Sequence, residues 1–423
     1  MPKRKKVALL ACLSSLNPSY SVAGVVRDQL NLLSQHLDLV FITTSDFTDQ
    51  KLVPENVEIR YYPRYSKDLD SKYHLELYAF EASSILRNLL HDCSHVIQHD
   101  LLFIHSFLPI NMAIRETAKM LPKIKWIHWQ HSAPSTRTTV PYPLSLCYEG
   151  MDNSTFVYLN STDIQRVAES YNIPRNKVQV VFNFIDLPKL FKFHPVSTEI
   201  YEQFKLYEAD TICIYPTRIT TGKQIDKLLK IMATLKEKGQ KVKVVICNTW
   251  SNAKEEKKMI KELKSLTLLT KDELLFTSEF DSKWAKENNH DISLGLPQEV
   301  VSDLLRVGDL FILPSVSECC SMIMLEAAAN KNLMVLNDDL WSLHEFGGQK
   351  INGPISSKCM YLEFGSLTRP VLSYSPSEEA WYLEKADMIM DYQKSCQPIN
   401  FFKYVRKYHN PNWVWINQIG PLF

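Results

Sequence analysis

The segment Gly308 to Ala327 gathers the chain's densest set of chemically useful residues. The apolar run Leu310–Leu313 predicts a buried strand that ends at Pro314-Ser315. Glu318 then sits on a loop, and Ser321 opens a helix that carries Glu326. The first amides of a helix have no partner within it, so its start suits an anion such as a phosphate. Glu318 can accept hydrogen bonds from ligand hydroxyls, and Glu326 can reach a second hydroxyl-bearing group such as a ribose. Two further cations, Arg218 and Lys223, stand five residues apart just past the apolar run Thr211–Tyr215.

Positioning these groups requires a sheet. Short apolar runs alternate with amphipathic stretches from end to end. Val7–Leu13, Leu39–Thr43, Val96–Gln98, Trp126–Trp129 and Phe156–Leu159 read as strands in the first half. Thr211–Tyr215, Val242–Cys247, Leu274–Phe276, Leu310–Leu313 and Leu333–Leu336 do so in the second. Helical spacing marks Val25–His36, Leu75–Leu90, Ile110–Met120, Gln224–Lys238, Glu255–Leu266, Gln298–Val307 and Ser321–Asn330. This alternation predicts parallel α/β sheets covered on both faces. An aperiodic, proline-bearing stretch places a linker at about 187–205, dividing an amino domain (1–190) from a second domain (205–375). Residues 376–423 are expected to form a helical tail that packs back on the amino domain, because its aromatic run needs cover.

Composition sets limits. The 423 residues carry 48 basic and 47 acidic side chains, which offers no electrostatic case for a protein that grips nucleic acid through its phosphates. The nine cysteines form no CxxC pair or His/Cys cluster, so reduced thiols, a cytoplasmic setting and no structural metal are expected. No stretch reaches the ~18 apolar residues of a membrane span.

The spacing Glu318-x7-Glu326 after Pro314-Ser315 resembles the signature of retaining GT-B glycosyltransferases, the group that includes bacterial mannosyltransferases, sucrose synthase and glycogen synthase. Tyr215 to Lys223 is similar to the family segment whose Arg and Lys contact a nucleotide-sugar diphosphate. Leu296 to Val300, Asn337-Asp338 with Glu345, and Val181 to Asp186 also match in order, over about residues 155–350. The resemblance implies two Rossmann-like, doubly wound domains facing across a cleft, with a carboxyl-terminal helix crossing back. It also implies sugar transfer from a donor such as a UDP- or GDP-sugar to an acceptor hydroxyl, with anomeric configuration retained and no metal. Arg218, Lys223 and the amides near Ser321 and Cys320 would stabilise the departing diphosphate. Glu318 would bind the sugar, and Glu326 the ribose. From the amino domain, Gly24 would line a loop near the donor, and His131, preferred to His128, would hydrogen-bond the sugar.

Two departures from the family stand out: Gln224 replaces the usual glycine after the Lys, and the turn after Ile246 to Trp250 lacks glycine. They leave the nucleotide and sugar unread and keep open a non-catalytic sugar-nucleotide-binding protein on the same fold. The resemblance implies an acceptor that is a glycan, a lipid-linked sugar or a small molecule. Lys119, Lys123, Lys125 and Arg137 raise the alternative of a phage-type enzyme that glycosylates a hydroxymethylated DNA base. Asp68-Leu69-Asp70 has the spacing of a metal-binding pair but reads as a solvated loop.

Overall fold

Aliphatic and β-branched runs prefer a pleated, buried surface, and here they form parallel sheets. The computed structural model describes residues 4–17, 21–63, 72–132, 140–249, 253–318, 321–346, 359–367 and 377–423. The chain divides into two compact units: Met1–Phe184 with Pro411–Phe423, and Ile185–Asn410.

The first unit contains β1 (Lys6–Leu10), β2 (Asp38–Thr44), β3 (Glu58–Tyr62), β4 (His95–His99), β5 (Lys125–Trp129), β6 (Ser154–Tyr158) and β7 (Val178–Val180). They pair in parallel in the order β3-β2-β1-β4-β5-β6-β7. Alternation along β1 shows how both faces are filled. Val7 and Leu9 join one core with the helix Ser21–Leu33, whereas Ala8 and Leu10 join another with Lys72–Leu90 and Leu108–Met120.

The second unit contains β8 (Thr211–Arg218), β9 (Val242–Thr249), β10 (Leu274–Phe276), β11 (Leu310–Leu313), β12 (Leu333–Asn337) and β13 (Met360–Leu362). Their order is β10-β9-β8-β11-β12-β13, again parallel throughout. In each sheet the strand order reverses beside the first strand, between β1 and β4 and between β8 and β11. Doubly wound sheets bind ligands at the carboxyl end of such a switch point.

Three strands went unread in the sequence: β3, β7 and β13. All three are edge strands. Edges are kept short and charged, which erases the apolar pattern. In β3, Arg60 pairs with Asp92 at 2.8 Å and with Glu58 at 2.8 Å, so charge replaces the expected alternation.

The domain boundaries also differ from expectation. The aperiodic stretch placed as a linker at 187–205 is built into the second unit. Leu187–Phe191 and Pro195–Gln203 are helices, and the His194 side chain accepts from the Val196 amide at 3.2 Å to cap the second. Buried Asp303 accepts from the His194 amide and the Ser197 hydroxyl, both at 2.8 Å, and fixes that helix to Gln298–Val307.

The tail divides as well. Glu378–Ser395 and Gln397–Tyr408 belong to the second unit, and only 411–423 join the first. The anchor of the upstream part is Arg406, fully buried with Asp309, its guanidinium bidentate to that carboxylate at 2.9 Å and donating to the Val307 and Ala209 carbonyls. Asp309 stands just before β11 and also accepts from the Ile212 amide, so one ion pair ties the helix to two strands. In 411–423, Val414 and Ile419 enter the core beside Val7 and Leu9, and Trp415 stacks on His36 at 4.1 Å.

Candidate functional site

Lys223 and Glu318, which are 95 residues apart in sequence, form an ion pair. Their positions follow from the sheet. Lys223 ends the short turn Thr221–Lys223 after β8, and Glu318 lies on the loop after β11, the neighbouring strand across the switch point. The two loops are joined by a backbone bond from the Val316 amide to the Gly222 carbonyl at 3.0 Å. Both side chains are largely covered, 25% and 13% exposed, which strengthens their attraction relative to a surface pair.

A second layer holds the loops. Asn337, buried at the end of β12, donates to the Ser315 carbonyl at 2.9 Å and to the Gly365 carbonyl at 2.6 Å. Its oxygen accepts from the Phe364 and Asp339 amides, both at 3.1 Å. The Ser342 hydroxyl donates to the Glu318 carbonyl at 2.6 Å. Asn337 was legible only as part of a family pattern, and neither its clamp nor the Ser342 contact has a sequence signal.

The remaining predicted residues fall as follows. Arg218 closes β8 with an exposed side chain that makes no ion pair or hydrogen bond among the described residues. Glu326 sits in the second turn of Met322–Ala329, where its carboxylate accepts from Gln298 at 3.3 Å. Ser321 is buried at the start of that helix but does not cap it with its side chain, and the first amides meet no side-chain acceptor among the described residues. Cys320 lies outside the described residues, as do Asp68, Asp70 and Arg137, and so does the Glu345 side chain.

Gln224 explains one departure from the glycine pattern. Its backbone is left-handed, at φ 45° and ψ 45°, the conformation that a glycine would adopt without strain. Its Oε1 is buried without a hydrogen bond among the described residues.

In the first unit, Gly24 stands in the first turn of the helix Ser21–Leu33, not in a loop as expected. His131 follows β5 at the sheet's carboxyl edge, partly buried, with Nε2 2.9 Å from Nδ1 of His99. Its amide donates to Asp100 Oδ1 at 2.8 Å. Asp100 has a left-handed backbone at φ 57°, and burial pushes its carboxyl up to about 6. His128 is a core residue, fully buried in β5, with Nδ1 3.0 Å from Gln98 Nε2.

Lys123 and Lys125 stand at the amino end of β5, one strand length from His131, and Lys119 is paired with Glu116 at 2.6 Å. These three lysines therefore lie away from the carboxyl edge, and Arg137, the fourth residue behind the DNA reading, lies outside the described residues. A cavity of about 720 Å³ opens at this same amino edge, lined by Glu76, Glu149, Asp152 and Trp126. Among the described residues no group of three or more His, Cys, Asp or Glu is placed to hold a metal ion.

Replacing Gln224 by glycine is expected to stabilise the protein by about 1 kcal/mol in urea denaturation, because it relieves the left-handed residue. A loss of stability would show that the Gln224 side chain matters more than its backbone strain.

Acid should act in the opposite direction. Burial lowers His128 to about 3 and His131 to about 4, and holds His99 well below the usual histidine range. The unfolded chain protonates these rings near pH ~6.5, so their stabilisation is present above that value and is lost as pH falls toward the folded values. At pH 5 each ring costs up to ~2 kcal/mol. Asp100, with its raised value, opposes them as one group against three. The urea midpoint is predicted to fall between pH 7 and pH 5, and an unchanged or higher midpoint at pH 5 would contradict this.

No family model and no curated protein matches the sequence. Among solved structures, the chain is similar to a glycosyltransferase from Rickettsia africae, at 15% identity over 100% of this chain and 98% of that one, with a TM-score of 0.36. It is also similar to Anabaena HepE in complex with UDP-glucose, at 10% identity over 99% of both chains and a TM-score of 0.38. A third is sucrose-phosphate synthase from Thermosynechococcus elongatus, at 12% identity, 99% and 98% coverage, and a TM-score of 0.35. The architecture of two doubly wound parallel sheets is established by the strand orders themselves, not by these superpositions.

Proposed function

We propose that the protein transfers a sugar from a nucleotide-sugar donor to an acceptor hydroxyl with retention of anomeric configuration. The observation that carries this reading is the Lys223–Glu318 pair at the switch point between β8 and β11, with Arg218 at the end of β8 making no ion pair among the described residues. Breaking a sugar–phosphate bond releases a diphosphate, so the site needs cations that are in place before charge develops. Arg218 offers a planar, permanently charged fork suited to phosphate oxygens. Lys223 has three donors, so its contact with Glu318 leaves two for a phosphate.

Glu318 has a double duty in this reading. Through Oε1 it orients the Lys223 ammonium, and Oε2, which accepts no hydrogen bond among the described residues, is left for a sugar hydroxyl. The uncapped amides at Met322 and Ile323 add a partial positive charge for the diphosphate. Glu326, held by Gln298, is assigned the ribose. The donor is a UDP- or GDP-sugar class of molecule, and no step in this scheme calls on a metal. The acceptor is a glycan, a lipid-linked sugar or a small molecule.

Glu318→Gln and Arg218→Ala are each expected to reduce transfer at least ~10²-fold, the scale seen when one preorganised group is lost. Purified protein and both variants would be assayed against a panel of sugar nucleotides and acceptors. Unchanged turnover in both variants would overturn the site. Donor binding without hydrolysis or transfer across the panel would favour a non-catalytic binding protein.

A further inference from the structure

His99 and His131 lie one strand apart. His99 is the last residue of β4, and register pairs it with Trp129 of β5, two residues before His131. The two rings stack with centroids 5.2 Å apart, and His99 Nδ1 lies 2.9 Å from His131 Nε2. One proton serves this contact, so one nitrogen donates and the other accepts. Which one donates decides what His131 offers from its other nitrogen.

The buried side of His99 resolves the choice. His99 is 3% exposed, and its Nε2 is buried with no hydrogen-bond partner among the described residues. If His131 donated, neutral His99 would carry its own proton on Nε2, burying an N–H with no acceptor. If His99 donates, the atom left buried is a bare lone pair. Unpaired buried N–H groups are the rarer of the two in folded proteins. Both rings are held neutral by burial, so a doubly protonated His99 does not intervene.

We propose that His99 is a positioning residue that donates Nδ1–H to Nε2 of His131 and thereby fixes His131 as the Nδ1–H tautomer. His131 then offers an N–H donor, not a lone pair, to a hydroxyl or phosphoryl oxygen of a ligand at the carboxyl edge of the first sheet. The His131 amide, held by Asp100 Oδ1, fixes the backbone from which the ring projects. Nδ1 of His131 makes no hydrogen bond among the described residues, consistent with a donor left for a ligand. The ligand part of this inference rests on the sugar-transfer reading above; the tautomer does not.

The test is a long-range ¹H–¹⁵N spectrum of the full-length, histidine-labelled protein at neutral pH, with His131 assigned by its loss in His131→Gln. The expected result is a bare Nε2 and a protonated Nδ1 on His131. His99→Asn places an amide N–H close to the lost Nδ1 and should keep that tautomer. His99→Leu should release it toward the Nε2–H form. In the transfer assay His99→Leu should lose about tenfold in kcat/KM, the worth of one hydrogen bond, while His99→Asn stays within about threefold. Thermal melts of both variants separate this from a folding defect, since a purely structural role would lower activity only in step with stability. A protonated Nε2 on wild-type His131, or an unchanged tautomer in a folded His99→Leu, would overturn the proposal. The expected tautomer in a wild-type protein that transfers no sugar would instead sink the functional reading and leave the His99 assignment standing.

Discussion

The second unit's site depends on one geometric constraint: two neighbouring parallel strands, from which the chain continues toward opposite sides of the sheet, start their following loops side by side at the same carboxyl edge. At β8 and β11 that point brings Lys223 against Glu318. The backbone bond from Val316 to Gly222 keeps the loops in register, so neither side chain must search for the other. A cation and a carboxylate held this way lose little freedom when a ligand arrives, which is what preorganised electrostatics requires.

Around this pair the structure adds rigidity from outside the chemistry. Asn337 satisfies four backbone groups from three loops, and the buried Arg406–Asp309 pair ties a late helix to the base of β11. Burying an ion pair is costly unless its other hydrogen bonds are satisfied, and here two carbonyls take the two further donors of the terminal guanidinium nitrogens, while Nε is buried without a partner among the described residues. Left-handed non-glycine residues occur at several turns of the described chain, and two of them adjoin candidate residues. Gln224 and Asp100, one in each unit, are both left-handed, and each adjoins a residue assigned a functional role.

Much of this was legible in the sequence, and the misses have physical causes. Buried strands such as β1, β8 and β11 announce themselves because both faces are apolar. The edge strands β3, β7 and β13 are short or charged and carry no such pattern. The stretch 187–205 looked like a linker because two prolines interrupt its period, yet those prolines open helices, where a missing amide costs nothing. The tail's aromatic residues signalled packing but could not name the surface, since Arg406 finds Asp309 97 residues away. Glu318 stood out by type and spacing, Lys223 and Arg218 through the family resemblance, and the structure pairs Glu318 with Lys223. The contact of His99 with His131 depends on the β4–β5 register, which a single sequence does not encode in its local pattern.

The central claim is that the loops after β8 and β11 hold a diphosphate. Equilibrium binding of nucleoside diphosphates, measured by calorimetry on the wild type and on Lys223→Ala, tests it without requiring an acceptor. The account predicts saturable binding of one nucleotide class, weakened by at least tenfold in the variant. Equal affinity in the two proteins, or no binding of any nucleoside diphosphate, would contradict it.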